Sequence, residues 1–171
     1  MPKRQKPYKL NPADKQEVDK QVDEMLKAGV IVPSSSPFIN PLVVVAKANG
    51  ERRVCIDFRR TNSITKLSEG VLPTMNDVIE QMADQRPIYF TSLDLKAGYW
   101  QVPLDPATSD RTAFKTSSGV YEFRRLAFGL AGAVNAFCER MLGVLGKLAS
   151  TFCCVYLDDI ECMLPSLSKT Q

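Results

Sequence analysis

Histidine is absent from this chain, and its five cysteines include no C-x-x-C pair, so a zinc site is not expected. No apolar run reaches the roughly 18 residues that a membrane span requires. The N-terminus is polar and basic and has no apolar core segment, so a secretory signal is not expected either. Neither sign of charge predominates. The net charge is +3, too small by itself to identify nucleic acid as a partner. No internal repeat or low-complexity stretch is evident. The thiols Cys55, Cys138, Cys153 and Cys154 lie in apolar stretches, where cysteine behaves as a small hydrophobe. An odd number of core-like thiols points to a reducing, intracellular compartment, with the cytoplasm expected.

What is present is a chain of 171 residues, 44% hydrophobic and 24% charged, enough for one domain or two small subdomains with a real core. Basic residues are clustered rather than abundant. Lys3, Arg4, Lys6 and Lys9 crowd the N-terminus, and arginine pairs occur at Arg52-Arg53, Arg59-Arg60 and Arg124-Arg125. Such pairs either hold phosphates or form a solvated face.

Residues 1–10 read as a basic arm. Asn11 is placed to cap a helix with Pro12 at its first position, and Val18, Val22, Met25 and Leu26 share one face up to Gly29. Residues 41–47 and 53–58 read as two strands joined at Asn49-Gly50, a two-residue hairpin signal. Lys47, Arg52 and Arg53 then lie near the tip of a basic finger. Thr74 is placed to cap a second helix whose buried face is Val78, Ile79 and Met82. Residues 88–93 form an apolar strand that delivers Asp94, followed by a tight turn or short helix at 96–100. A hairpin spans 111–124. A helix covers 131–149, with Phe137, Met141, Leu142, Leu145 and Leu148 inward and Gly143 and Gly146 weakening it. Residues 152–156 form a buried strand, and 160–164 are its return partner. A sheet backed by helices places the chain in the α+β class.

The chemistry is concentrated in carboxylates. Asp158 and Asp159 follow Tyr156-Leu157, and Asp94 lies in Ser92-Leu93-Asp94-Leu95, 64 residues earlier. Adjacent carboxylates at the end of a buried strand are costly unless a cation meets them. Two divalent ions would do so, and such pairs serve phosphoryl transfer. An ordinary hairpin turn would also accommodate Asp158-Asp159.

Six further segments, in one consistent order, carry a resemblance. They are Ala28-Gly29-Val30-Ile31 with Ser35-Ser36-Pro37; Arg53 to Arg59 with Asn62; Ser92 to Gln101; Thr112-Ala113-Phe114 with Tyr121-Glu122-Phe123; Phe128-Gly129-Leu130 with Ala136-Phe137; and Tyr156 to Ile160. Together they resemble the reverse transcriptase domain of long-terminal-repeat retrotransposons, most closely the Ty3/gypsy type. The resemblance implies polymerase-like fingers and palm, with an antiparallel palm sheet backed by helices and no thumb. Residues 11–86 and 104–126 would be fingers-like, and 87–103 and 127–171 a truncated palm.

The implied activity is RNA-directed DNA polymerisation, with a template, a primer and dNTPs as partners and the thumb and RNase H regions of a polyprotein missing. Asp94, Asp158 and Asp159 would be catalytic and would hold two Mg²⁺ ions, or Mn²⁺, with the Leu95 carbonyl completing the shell. Lys47, Arg53, Tyr99, Phe128 and Gly129 would contact the nucleotide, with Tyr99 as a steric gate against a ribose 2′-OH. Trp100 replaces the usual His and is expected to be packed. Ala127, Ala131, Gly132 and Val134 also depart from the pattern, which is expected to weaken the helix start. Glu161 to Pro165 departs too, and a short or distorted return strand is expected there. The alternatives are a decayed remnant that keeps the fold and at most binds nucleic acid, and an unrelated metal-dependent phosphotransferase.

Overall fold

The structure is a computed structural model that describes residues 8–48, 50–67, 74–85, 87–157 and 159–164. The chain divides into two units, residues 1–66 with 99–133 and residues 67–98 with 134–171.

The first unit opens with α1 (Pro12–Lys27). Asn11 Oδ1 accepts the Asp14 N–H at 2.8 Å, Pro12 occupies the first turn, and Gly29 at φ +66° ends the helix. The N–H groups of Gly29 and Val30 donate back to Leu26 and Met25, closing a Schellman motif. As expected, Val18, Val22 and Met25 are buried, and Leu26 packs at their margin.

They meet three short antiparallel strands ordered β1 (Ile31–Pro33), β6 (Val120–Phe123), β5 (Phe114–Lys115). Phe58, Phe114 and Phe123 fill the same core with tilted and edge-on ring contacts. A separate hairpin pairs β2 (Leu42–Ala46) with β3 (Arg52–Ile56). Its connection is longer than Asn49-Gly50 alone predicts. Ala46 pairs with Arg52, the Lys47 N–H donates to the Glu51 carbonyl, and Gly50 at φ +84° donates back to Lys47. That is the three-residue pattern in which Gly takes the left-handed position (Asn49 itself lies outside the described residues). Helix α2 (Arg59–Ile64) follows, a one-and-a-half-turn element too short for periodicity to announce.

Asp57 precedes that helix. Its carboxylate accepts Arg59 Nε at 2.9 Å, an Arg59 terminal nitrogen at 2.7 Å and the Arg59 backbone N–H at 3.1 Å. The Arg59 hydrogen bonds hold the Asp57 carboxyl at about 2, below the ordinary value of 3.8. A lowered folded-state value stabilises the fold at pH above the unfolded value, and the contribution vanishes as pH falls through about 2. Wild type is therefore expected to be more stable than Asp57→Asn at pH 6, with the gap closing between roughly pH 4 and pH 2. Urea unfolding of both proteins across that range measures it.

In the second unit, α3 (Met75–Gln85) starts on a reciprocal capping box. The Thr74 N–H donates to Asp77 Oδ2 at 2.6 Å and the Asp77 N–H donates to Thr74 Oγ1 at 3.2 Å. Those bonds also lower the Asp77 carboxyl pKa. Val78 and Met82 pack on Cys154 and Met163 as the periodicity predicts, but Ile79 is 54% exposed. The helix meets the sheet along a narrower stripe than three apolar positions require.

The sheet is antiparallel, ordered β4 (Tyr89–Asp94), β8 (Asp159–Leu164), β7 (Cys153–Tyr156). Strand β8 is neither short nor distorted. All six of its residues pair with β4, and four of them also pair with β7. Strand β4 is present as expected and is an edge of this sheet, and its apolar side chains are exposed among the described residues. An edge strand has a neighbour on one side only, so an apolar run is no guarantee of burial.

Helix α4 (Gly98–Gln101) begins at the last residue of the second unit's first segment, and α5 (Pro106–Ser109) belongs to the first unit. The long helix expected over 131–149 is two elements, α6 (Ala133–Leu145) and α7 (Leu148–Thr151). Gly146 at φ +53° ends the first, its N–H donating to the Leu142 carbonyl at 2.9 Å. Phe137, Cys138 and Met141 are buried, whereas Leu142 and Leu148 are exposed, because the break removes Leu148 from the helical register.

Phe137 fixes where the residues after β4 run. A Cβ on Gly98 would lie 3.0 Å and 3.1 Å from its ring, and that ring is fully buried. Gly98→Ala is expected to destabilise the protein by about 1–2 kcal/mol, overpacking outweighing the better helix propensity of alanine. Chemical denaturation of the two proteins tests this, and an unchanged or raised midpoint contradicts it.

Candidate active site

Asp94 is the last residue of β4 and Asp159 the first of β8, and the two are direct cross-strand partners. Directly opposed residues project from the same face with Cβ atoms about 5 Å apart, and like charges so placed repel. Both are exposed, and among the described residues no Lys or Arg forms an ion pair with either. Two pairs further along, on the same face, Ser92 donates to Glu161 Oε1 at 2.8 Å. Glu161 therefore belongs to a hydrogen bond that no local pattern foretold.

Tyr156 and Asp159 are the last paired residues of the β7–β8 hairpin, so two residues connect the strands. Leu157 is the first, at φ +57°. The left-handed region costs a branched residue roughly 1–2 kcal/mol, and a two-residue hairpin demands it. The Leu157 carbonyl also accepts the buried Cys138 thiol of α6 at 3.3 Å, which ties the turn to the helix. Asp158, the second connecting residue, lies outside the described residues. Leu95 follows Asp94, and its carbonyl accepts the Gly98 N–H at 3.0 Å, leaving its second lone pair uncommitted to that bond.

The first unit gathers a different set. The Tyr99 ring meets Phe128 edge-on at 4.9 Å between centroids, and the Arg53 guanidinium lies 4.8 Å from the centre of the Phe128 ring. Tyr99 is 8% exposed and Phe128 37%, so the aromatic pair has a buried end and an open one. One member of each arginine pair is engaged with a carboxylate: Arg52 with Asp14, Arg59 with Asp57 and Arg124 with Glu122. Arg53, like Arg60 and Arg125, has no carboxylate within ion-pair distance among the described residues, and of these three it is the one that lies over an aromatic ring. Trp100 is packed, as expected, meeting the Phe128 ring edge-on at 6.2 Å between centroids.

Gly129 adopts φ +85°, and its carbonyl accepts Asn62 Nδ2 at 2.8 Å while Asn62 Oδ1 accepts the Ala131 N–H at 2.8 Å. Asn62 thus clamps the loop entering α6 with both ends of its amide, in place of the helix-start residues the sequence lacks. Its partners are 67 and 69 residues away, which hides that role from any local reading. Lys47 does not join this group. Its ammonium is paired with Glu51 at 2.8 Å near the hairpin tip. A cavity of about 870 Å³ in the same unit, lined by residues such as Lys9, Lys15, Ser36 and Lys115, contains none of the predicted nucleotide residues.

Comparison with known proteins gives a consistent result. The chain is 38% identical over 169 residues to the retrovirus-related Pol polyprotein from transposon 297 of Drosophila melanogaster, covering 96% of this chain and 16% of that polyprotein. It is 35% identical over 159 residues to the enzymatic polyprotein of cauliflower mosaic virus, covering 91% and 23%. The chain thus spans less than a quarter of these relatives. The crystal structure of prototype foamy virus protease-reverse transcriptase superposes with a TM-score of 0.85 at 29% identity, over 96% of this chain and 22% of that one. A foamy viral protease-reverse transcriptase solved with an RNA/DNA hybrid shares the fold at a TM-score of 0.83 and 24% identity. The α+β architecture expected from the sequence is the one found. The family profile described as reverse transcriptase (RNA-dependent DNA polymerase) matches residues 45–171, and the chain belongs to that family.

Proposed function

We propose that this chain is the fingers and part of the palm of an RNA-directed DNA polymerase from a retrotransposon polyprotein. The reaction is template-directed attack of a primer 3′-OH on the α-phosphate of a dNTP, with pyrophosphate leaving. The observation that carries the reading is the cross-strand opposition of Asp94 and Asp159, two exposed carboxylates with no ion pair to Lys or Arg among the described residues. Their hard oxygen donors fit Mg²⁺, and Mn²⁺ suits the same set. Asp94, Asp158 and Asp159 would hold two such ions, with the Leu95 carbonyl as a further donor. Such ions would supply the positive charge that lowers the pKa of the 3′-OH and neutralises the triphosphate.

The remaining roles belong to side chains of the chain itself. Arg53 offers a planar guanidinium, uncommitted to carboxylates and steadied on Phe128, for the triphosphate. Lys47 would add a second cation once it leaves Glu51. Tyr99, held from behind by its packing, would exclude a 2′-OH. Gly129 lets the backbone approach the nucleotide without a Cβ in the way. The template, the primer and the remaining polyprotein regions, including a thumb and an RNase H region, are the partners this reading requires.

Primer extension on RNA and DNA templates with Mg²⁺ tests it, with Asp94→Asn as the control. Extension by the wild type and none by the variant supports the reading. Template binding without extension at any enzyme concentration would instead support a remnant that only binds nucleic acid.

A further inference from the structure

The thiols of Cys153 and Cys162 stand 3.2 Å apart across the β7–β8 hairpin. The two residues are direct register partners. The Met163 N–H donates to the Phe152 carbonyl, which makes Cys153 and Cys162 a non-hydrogen-bonded pair of the ladder. Cα atoms in such pairs are about 4.5 Å apart, inside the window a disulfide needs. Both side chains leave the same face of the sheet, so closing the gap to a bond of about 2 Å takes side-chain rotation and no shift of register. Access is unequal: Cys153 is buried and Cys162 is partly exposed. Cys154, the neighbour of Cys153, leaves the opposite face and packs on Val78.

We propose that Cys153 and Cys162 form a reversible disulfide that staples the hairpin bearing Asp159, a modification site independent of the polymerase reading. The oxidant is a low-molecular-weight disulfide such as oxidised glutathione. The Cys162 thiolate attacks one reagent sulfur, forming a mixed disulfide and releasing one reduced thiol. Cys153 then gives up its proton and attacks the Cys162 sulfur, expelling the second reduced thiol. Two protein thiols are oxidised and one reagent disulfide is reduced. Burial, with the neighbouring Cys162, pushes the Cys153 thiol up to about 11, so in the reduced hairpin Cys153 is neutral and the second step is the slow one.

The test is mass spectrometry of the whole chain, first reduced, then incubated with oxidised glutathione, and alkylated in denaturant. The expected product is a monomer lighter by about 2 Da, with two of its five cysteines protected from alkylation. Peptide mapping should place the link at Cys153–Cys162, and dithiothreitol should reverse it. Cys154→Ser and Cys55→Ser should keep the link, while Cys153→Ser and Cys162→Ser should lose it. The oxidised wild type should melt several degrees higher than the reduced form, and the gap should vanish in Cys162→Ser. A stable glutathione adduct without ring closure, a link mapped to Cys154, or a disulfide between two chains would each overturn the proposal.

Discussion

Asp94→Asn is expected to lower primer extension by at least a hundredfold and, without divalent metal, to raise the thermal midpoint of the same protein. The two effects share one cause. Asp94 and Asp159 face each other across β4 and β8. Opposed like charges destabilise a sheet by a few tenths to about 1 kcal/mol, and neutralising one relieves that. Losing a preorganised electrostatic contact at the reacting centre typically costs a factor of about 10² to 10³ in rate. A cluster kept for stability would show the reverse pattern, with the substitution harming the fold and leaving any activity alone. Mg²⁺ adds a third readout. It should raise the midpoint of the wild type, because a ligand that binds only the folded state stabilises it, and should raise that of the variant much less. Thermal melts with and without Mg²⁺, run beside the extension assay, measure all three. A variant that extends primers normally, or a wild type whose midpoint ignores Mg²⁺, contradicts the metal-binding role.

Arg53→Ala is expected to raise the KM for dNTP about 10- to 100-fold while leaving stability nearly unchanged. A charge-assisted hydrogen bond is worth about 1.5–3 kcal/mol, which sets that range. Stability should be spared because Arg53 is exposed and forms no ion pair among the described residues. Arg53→Lys should rescue only part of the loss, since an ammonium neither spans two phosphate oxygens nor stacks on Phe128 as a guanidinium does. Arg52→Ala is the contrasting control. Arg52 bonds Asp14 of α1 at 3.1 Å, so its loss should touch the fold more than the KM. Steady-state kinetics with dNTP varied, together with denaturation of each variant, separates the two arginines. Equal KM values for wild type and Arg53→Ala would remove Arg53 from the nucleotide site.

Much of the local architecture is legible in the sequence because its signals are short-range. Asn11, Pro12 and Gly29 bound α1, Thr74 and Asp77 open α3, and Gly50 marks the β2–β3 turn. Each of these rests on a backbone N–H or a φ angle within a few residues. The errors arise where the deciding contact is remote. Periodicity assigns Ile79, Leu142 and Leu148 to buried faces, yet all three are exposed, because the width of a buried stripe depends on what packs against it. Gly146 reads as a weak point in one helix and is the end of that helix. The apolar composition of β4 does not say whether the strand is buried, and it lies exposed on an edge.

The sequence by itself determined the class of fold and the family, and it singled out the carboxylates, arginine and aromatics proposed to carry the chemistry. Those follow from residue types at fixed spacings along one chain. Only the tertiary structure decided which residues meet. It set Asp159 opposite Asp94 and Cys162 opposite Cys153, placed Arg53 on Phe128, and used Asn62 to hold the loop at Gly129. Strand register and packing are settled by long-range contacts, and a one-residue slip of β8 would turn Asp159 and Cys162 to the other face.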